Sequence, residues 1–336
     1  MDFSPRIIVL GKLTRDYILT QDGISRADIP GGDGIFSAAG VRFWDELPGL
    51  CARIGEMYPQ RWLESFETNG INTLGIITHS EIPDIIRFFR YTSPDTFTQN
   101  DPIAHYAQLG IPIPKGLLGY VNPLQQTDSQ TQASLHYIRS YEIPPAYLDA
   151  IAAHLCPLDY VSYTTLLHTL KQGSIHTISM DPSEGIMNSL FYSSLADLVR
   201  NLTIFQTTES KIRQLFLGRT EDIWEMADQI GSWGAEMVVI HCGSQGQYLL
   251  DHSSKKRWVL SAYPSHVVDP TGAGAVFCGG FLAGYLQHYD PLMACLKGSI
   301  SASFSVEGSG PLYILDTLPG LAERRLEKLK ETVRQI

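Results

Sequence analysis

The stretch HVVDPTGAGAVFCGGFLAGYL, residues 266–286, joins a short apolar run, an Asp-Pro step, a small-residue loop and an amphipathic segment. This order predicts a tight loop that opens a helix. Gly272 and Gly274 carry no side chain, so a ligand can approach the backbone closely. The N–H groups of the loop and the helix dipole would point at one place, which favours an anion such as a phosphate. Taken alone, the stretch equally fits a turn whose glycines only permit tight packing.

Two better-known nucleotide signatures are not met. The dinucleotide pattern G-x-G-x-x-G fails because Phe277 stands at the place of the third glycine. A phosphate-binding loop that ends in G-K-[ST] does not occur anywhere in the chain. A dehydrogenase is therefore a poor interpretation of the stretch.

Composition and charge exclude several classes. The chain has 336 residues, of which 44% are hydrophobic and 18% charged, as in a globular protein with a sizeable core. A formal charge of −10 argues against non-specific binding to nucleic acid. The five cysteines form no C-x-x-C pair, so neither a disulfide framework nor a zinc site is expected. No apolar run is long enough to cross a bilayer, and the N-terminus lacks a signal peptide, so we expect a cytoplasmic protein with no membrane partner.

Short apolar strands alternate with helical patterns along the chain, which predicts a mainly parallel α/β sheet covered on both faces. We expect a single domain over residues 1–336. Residues 17–30 and 72–125 are predicted to leave the main fold, the latter because of its Pro, Thr, Asn and Asp content. The stretch LAERRLEKLKETVRQI, residues 321–336, is predicted to be a charged amphipathic helix.

Three more glycine motifs precede the opening stretch in a fixed order: GKLTRDYIL at 11–19, PGGDG at 30–34 and GSQG at 243–246. Together the four motifs resemble the ribokinase-like (pfkB) family of sugar and nucleoside kinases, and the similarity covers most of the chain. The resemblance implies a three-layer αβα sandwich with a mainly parallel central sheet and a small β-rich lid. It also implies that a hydroxyl of a sugar-like substrate attacks the γ-phosphate of ATP in the presence of Mg²⁺.

On the substrate side, the resemblance implies that Asp16 hydrogen-bonds the hydroxyls of the substrate and that Gly31 and Gly32 let the sugar approach the backbone. A carboxylate suits this role because it accepts several donors in a fixed geometry. Asp269, at the head of the loop motif, falls on the same side. It would replace a missing base only if the loop shifted.

On the nucleotide side, the resemblance implies a loop at Gly243 and Gly246 and a phosphate-contacting pair, Thr271 and Gly272. The backbone amides between Gly272 and Ala275 would form an anion hole. Glu209 would position Mg²⁺ through water, since that ion prefers oxygen ligands and keeps several waters. The implied residues of the anion hole and its flank are Thr271, Gly272, Ala273, Gly274 and Ala275.

The sequence departs from the family at three places. Ala275 stands where the family has the aspartate that acts as general base, and a methyl group accepts no proton. Loss of a general base typically costs ~10²–10⁴ in rate. Gln206 replaces an asparagine of the Mg²⁺ motif, and Phe36 stands where an asparagine often binds sugar hydroxyls.

Three interpretations remain open: a slow kinase, a pseudokinase that binds nucleotide or sugar and acts through a partner, and an active kinase with an engineered Asp-to-Ala change. The departures at Phe36 and Gln206 favour natural divergence, because an engineer would have altered only the base. Lids of this family often pair, so a homodimer through the lid is expected.

Overall fold

The structure is a computed structural model that describes residues 4–44, 46–123, 128–200 and 202–336. The strands, in chain order, are β1 Ile7–Leu10, β2 Thr14–Leu19, β3 Ser25–Gly31, β4 Pro48–Gly55, β5 Asn72–His79, β6 Ile85–Ser93, β7 Thr96–Thr98, β8 Ala152–Leu155, β9 Thr177–Met180, β10 Ile204–Thr208, β11 Met237–His241, β12 Gln247–Asp251, β13 Lys256–Leu260 and β14 Arg334–Gln335. The helices are α1 Asp33–Arg42, α2 Gln60–Thr68, α3 Pro102–Gln108, α4 Tyr160–Leu170, α5 Tyr192–Val199, α6 Glu209–Leu215, α7 Ile223–Trp233, α8 Ala273–His288, α9 Pro291–Ser305 and α10 Leu321–Lys330.

The main sheet has the strand order β14-β13-β12-β11-β10-β9-β8-β1-β4-β5. All pairs from β11 to β5 are parallel, whereas β12, β13 and β14 add antiparallel strands at one edge. Every residue of β1 is fully buried, as expected of a parallel strand with helices on both faces. The predicted α/β class with a mainly parallel sheet is confirmed.

Two helical layers cover the sheet. Along β1 the side chains alternate, so Ile7 and Val9 join one core while Ile8 and Leu10 join the other. The first core contains buried residues of α1, α2, α8, α9 and α10, and the second contains those of α4, α5, α6 and α7. This is the predicted three-layer αβα sandwich.

A second sheet, with the order β3-β2-β6-β7, forms the lid. Its inner face carries Ile18, Phe89 and Tyr91. Its outer face is not open, because Tyr17 and Phe88 pack there with buried side chains of α3 and the segment that follows it. The small β-rich lid of the predicted fold is therefore present.

The bounds of the lid differ from the predicted excursion. Strand β5 pairs in parallel with β4, so residues 72–79 belong to the edge of the main sheet. Strand β2 begins at Thr14, three residues before the predicted start. Strands β5 and β6 follow each other in the chain but belong to different sheets. Only their pairing partners, β4 for β5 and β2 for β6, show which sheet each strand joins.

The C-terminal helix is shorter than predicted. It ends at Lys330, and the two residues of β14 pair with Trp258 and Val259 of β13. The β-branched Thr332 and Val333 separate the two elements, and such residues favour extended backbone over helix. In the described part of the chain no helix is both long and apolar enough to cross a membrane.

Candidate active site

Helices α1 and α8 lie side by side with their N-termini at the same end. Glycines make this close contact possible, because a Cβ on Gly40 or on Gly279 would lie less than 3.0 Å from the backbone of the other helix. Gly40 faces the Val276 carbonyl and Gly279 faces the Ser37 carbonyl. The first turns of both helices therefore lie close together beside the carboxyl ends of the parallel strands, and we call the space that they border the crevice.

The first turn of α8 presents free backbone amides. Ala273 N–H donates to the carbonyl of Pro270 at 3.2 Å, so it is engaged. The amides of Gly272, Gly274 and Ala275 donate to no group among the described residues. A Cβ on Gly274 would meet no atom within 4 Å, so the space beside it is open. Free donors at a helix N-terminus form a cradle for an anion, and here Ala273 does not contribute to it.

Asp269 supports this loop from below. It is 1% exposed, and its Oδ1 accepts the N–H of Thr271 at 3.0 Å. Burial raises the pKa of Asp269, although Thr271 and the nearby Ser309 hydroxyl counteract part of that rise. The Thr271 hydroxyl is itself bonded to the Tyr91 hydroxyl of the lid at 2.9 Å. Asp269 thus lies buried beneath the loop and away from the open crevice.

Phe36 packs beneath the same loop. It is 2% exposed, and a Cβ on Gly272 would lie less than 3.0 Å from its ring. Gly272 also has φ 79°, a conformation that favours glycine. Phe36 therefore belongs to the core that supports the anion cradle. Ala275 is half-buried and packs against that core.

Asp16 lies on β2 and is 1% exposed. Its carboxylate accepts Arg87 Nε at 3.0 Å, Arg87 Nη2 at 2.8 Å and the Thr14 hydroxyl at 2.6 Å. A carboxylate offers about four acceptor positions, so one has no donor among these contacts. A Cβ on Gly31 would overlap the Asp16 carboxylate, and one on Gly32 would overlap the Lys12 carbonyl. The protein's own packing requires both glycines, whatever the substrate.

The loop between β11 and β12 carries the predicted nucleotide glycines. Gly243 has φ 56° and Gly246 has φ 105°, both in the left-handed region. The lid reaches this loop, because Asp95 accepts the Ser244 N–H at 3.1 Å and the Ser244 hydroxyl at 2.6 Å. The tip of the lid and the nucleotide loop are therefore in direct contact.

Glu209 opens α6 near this loop, but its Oε1 is engaged. It accepts Arg213 Nε at 2.8 Å and lies 2.6 Å from Arg213 Nη2. Gln206 is fully buried and its amide donates to the Ser179 hydroxyl at 2.9 Å, so it faces the interior of the sandwich. Within the described ranges no cluster of three or more His, Cys, Asp or Glu side chains could hold a metal ion.

The crevice also holds a group of charges that was not predicted from the sequence. Lys12 follows β1, and its Nζ lies 3.9 Å from Asp33 Oδ2 at the start of α1. Arg87 Nη1 lies 3.9 Å from Asp33 Oδ1. Burial lowers the pKa of Lys12, but Tyr137 and Asp33 outweigh it, so the net pKa is raised and the lysine is cationic. Its place at the carboxyl end of the first strand was the signal that could have drawn attention to Lys12.

A second missed pair lies further along the same edge. Asp181 follows β9, and its carboxylate is paired with the buried Lys211 ammonium of α6. Burial raises the pKa of Asp181, and Lys211 opposes that rise.

Comparisons with known proteins agree with this geometry. The model of the pfkB family carbohydrate kinases matches residues 122–318, more than half of the chain. A cytidine kinase of Thermococcus kodakarensis is 26% identical over 296 residues, which cover 87% of this chain and 92% of that protein. A nucleoside kinase of Methanocaldococcus jannaschii is 36% identical over 93 residues, which cover 28% of this chain and 30% of that protein.

Solved structures share the fold at low identity. The M. jannaschii nucleoside kinase structure superposes with a TM-score of 0.66 at 17% identity and covers 96% of this chain and 98% of its own. A fructokinase of Xylella fastidiosa with bound ATP superposes with a TM-score of 0.70 at 14% identity, covering 97% and 99%. The glycine loops, the lid over the crevice and the family match lead to one conclusion: the chain belongs to the pfkB family of carbohydrate kinases.

Proposed function

We propose that this protein transfers the γ-phosphoryl group of ATP to a hydroxyl of a sugar or of the sugar part of a nucleoside. The observation that carries the proposal is the set of free amides at Gly272, Gly274 and Ala275, which open into the crevice beneath the lid. The names of the curated relatives support a nucleoside as acceptor alongside a free sugar.

In this proposal the hydroxyl oxygen attacks the γ-phosphorus, the bond to the bridging oxygen breaks, and ADP leaves with the electron pair. The helix amides and the cations Lys12 and Arg87 stabilise the charge that spreads over the transferring group. Asp16 orients the acceptor through its remaining lone pair.

Mg²⁺ fits this site only if the phosphates of ATP supply most of its direct ligands. Glu209 offers one carboxylate, whose Oε1 is already engaged by Arg213, so its contact with the ion would pass through water. When bound, the ion neutralises charge on the phosphate oxygens.

The second candidate, a pseudokinase, is favoured by one observation, the methyl group of Ala275 at the position of the family's base. Catalysis by positioning and charge stabilisation does not depend on that group, which is why we place the kinase first. A cytoplasmic location and a homodimer through the lid also stay predictions. Because α3 covers the outer face of the lid, such a dimer would have to use the lid's edges.

The test combines binding and turnover. Calorimetric titration with ATP-Mg²⁺ should give saturable binding, and ADP release should appear with at least one member of a panel of sugars and nucleosides that includes cytidine. Ala275→Asp should raise the rate on that acceptor, because it adds a carboxylate at the position of the family's general base. ATP binding with no turnover by either form would favour the pseudokinase, and no binding at millimolar ATP would refute the kinase and any pseudokinase that binds nucleotide.

A further inference from the structure

We propose that Asp33 is the catalytic base that receives the proton of the acceptor hydroxyl in this chain, in place of the missing carboxylate at position 275. The inference rests on the proposed kinase function. It assigns a role to Asp33 of the PGGDG motif, in which only Gly31 and Gly32 had a predicted role.

The packing of α1 against α8 places Asp33 at the crevice. Phe36 of α1 touches Gly272 at the start of α8. Asp33 precedes Phe36 by three residues, so it lies on the same face of α1 and one turn closer to the crevice. Its negative charge helps to raise the pKa of Cys278, on the second turn of α8, and of Cys156 after β8, although burial is the larger cause in both. Asp33 therefore lies on the side of α1 that faces the α8 N-terminus.

The carboxylate of Asp33 is free to act. It accepts no hydrogen bond from any residue that the structure describes. Lys12 Nζ and Arg87 Nη1 each lie 3.9 Å from one of its oxygens, beyond hydrogen-bond distance. Its side chain is 23% exposed, so a substrate can reach it.

Other carboxylates around the crevice are engaged. Asp16 is held by Arg87, Asp181 by Lys211, and Glu209 by Arg213. Asp269 is buried beneath the loop, and Asp128 accepts the Ser183 hydroxyl at 2.9 Å. Asp33, in contrast, is partly exposed beside Lys12 and Arg87 and accepts no hydrogen bond from a described residue.

The acceptor oxygen forms a bond to the γ-phosphorus while the bond to the bridging oxygen of ADP breaks. The hydroxyl proton passes to Asp33 and then to water. Lys12 and Arg87 flank Asp33 and face the incoming phosphate, where their charge complements the transferring group.

The test first uses Ala275→Asp to identify an acceptor. On that acceptor the wild-type protein should turn over, and Asp33→Asn should lower its kcat by ~10²-fold or more, as loss of a general base does. The KM for ATP should change by only a few-fold, and thermal unfolding should show that the variant is folded. Asp197→Asn, which alters an exposed carboxylate on α5, is the matched control and should retain wild-type kcat.

The double variant distinguishes two roles for Asp33, that of a catalytic base and that of a member of a structural ion pair. In the Ala275→Asp background the Asp33→Asn change should cost at least ten-fold less than in the wild type, because a second carboxylate then accepts the proton. An equal loss in both backgrounds, or no loss in either, would overturn the role of Asp33. If the wild-type protein showed no turnover on an acceptor that Ala275→Asp phosphorylates, the role of Asp33 would also be overturned. The proposed kinase function would still be supported by the activity of Ala275→Asp.

Discussion

His154 shows how burial sets the chemistry of a single side chain. It is 1% exposed in β8, and its Nδ1 lies 3.1 Å from the Ser179 hydroxyl, which also accepts the amide of Gln206. Burial lowers the pKa of His154 to about 4, and the charge of Asp33 opposes this shift only in part. The ring is therefore neutral in the folded protein at physiological pH.

This shift predicts a pH-dependent stability. An unfolded histidine has a pKa of about 6.5, so between pH 6.5 and 4 the unfolded chain binds the proton and the folded chain does not. The contribution of His154 is thus complete above pH 6.5 and is lost as the pH falls towards 4. At pH 5 the loss is on the order of 2 kcal/mol, since each pH unit is worth about 1.4 kcal/mol.

Urea denaturation at pH 7.5 and pH 5 measures this loss. The change in unfolding free energy between the two pH values should be about 2 kcal/mol smaller in His154→Asn than in the wild type. The exposed His168 offers a control, and its change to Asn should keep the wild-type difference. An unchanged pH dependence in His154→Asn would refute the assignment.

The motifs named candidate residues, but they did not show which groups each of those residues contacts. The motifs predicted glycine at Gly31 and Gly272. The structure shows why no side chain fits there: the Asp16 carboxylate lies against Gly31, and the Phe36 ring lies against Gly272. Asp33 lies within the PGGDG motif, but its proposed role depends on a helix contact with residues more than 200 positions away, which the motif does not show. The residue type shows which functional group a position carries, but it does not show which other residues that group contacts.

At the scale of elements, the hairpin β6–β7 joins the lid to the body of the protein. Asp95 in its turn holds both the amide and the hydroxyl of Ser244, and Tyr91 in β6 holds Thr271. These hydrogen bonds connect the lid to the β11–β12 loop and to the loop before α8. We expect closure of the lid to be linked to the state of the nucleotide loop.

The Asp95 contact predicts a local effect on lid opening. Asp95→Ala should raise amide hydrogen exchange in residues 85–98 roughly 10-fold, because a hydrogen bond to a charged group contributes about 1.5 kcal/mol or more. Global stability should hardly change, since Asp95 is exposed. Ser244→Ala keeps the amide and should give a smaller rise, and a double variant no faster than Asp95→Ala would locate the effect in this pair.

The sequence predicted whether a segment is a helix or a strand better than it predicted which sheet a strand joins. Strand β5 and the segment after Lys330 were misassigned because a strand's sheet depends on a partner distant in sequence. The periodicity within each segment carried no information on that partner.

At the scale of the whole molecule, the contact of α1 with α8 brings the two halves of the site together. Backbone meets backbone at Gly40 and Gly279, so no side chain fits between the helices. Lengthening that distance would separate the Asp33 end of α1 from the cradle of α8.

Two glycines of α8 give a matched test. Gly279→Ala places a methyl group against the Ser37 carbonyl and should lower the unfolding free energy by about 1–3 kcal/mol, as overpacking does. Gly274→Ala meets open space and should leave stability unchanged or raise it by up to about 1 kcal/mol, since alanine favours helix. Equal effects in denaturant unfolding would show that the helix contact is looser than the structure describes.

The ordered motifs and the strand–helix alternation determined by themselves the α/β class and the family, because these depend on residue type and spacing along the chain. Only the tertiary structure decided which amides are free, that Asp16 is paired with Arg87, and that Asp33 faces α8. Each of these depends on contacts between segments far apart in sequence, and a buried group's charge, partners and access are set by what packs against it.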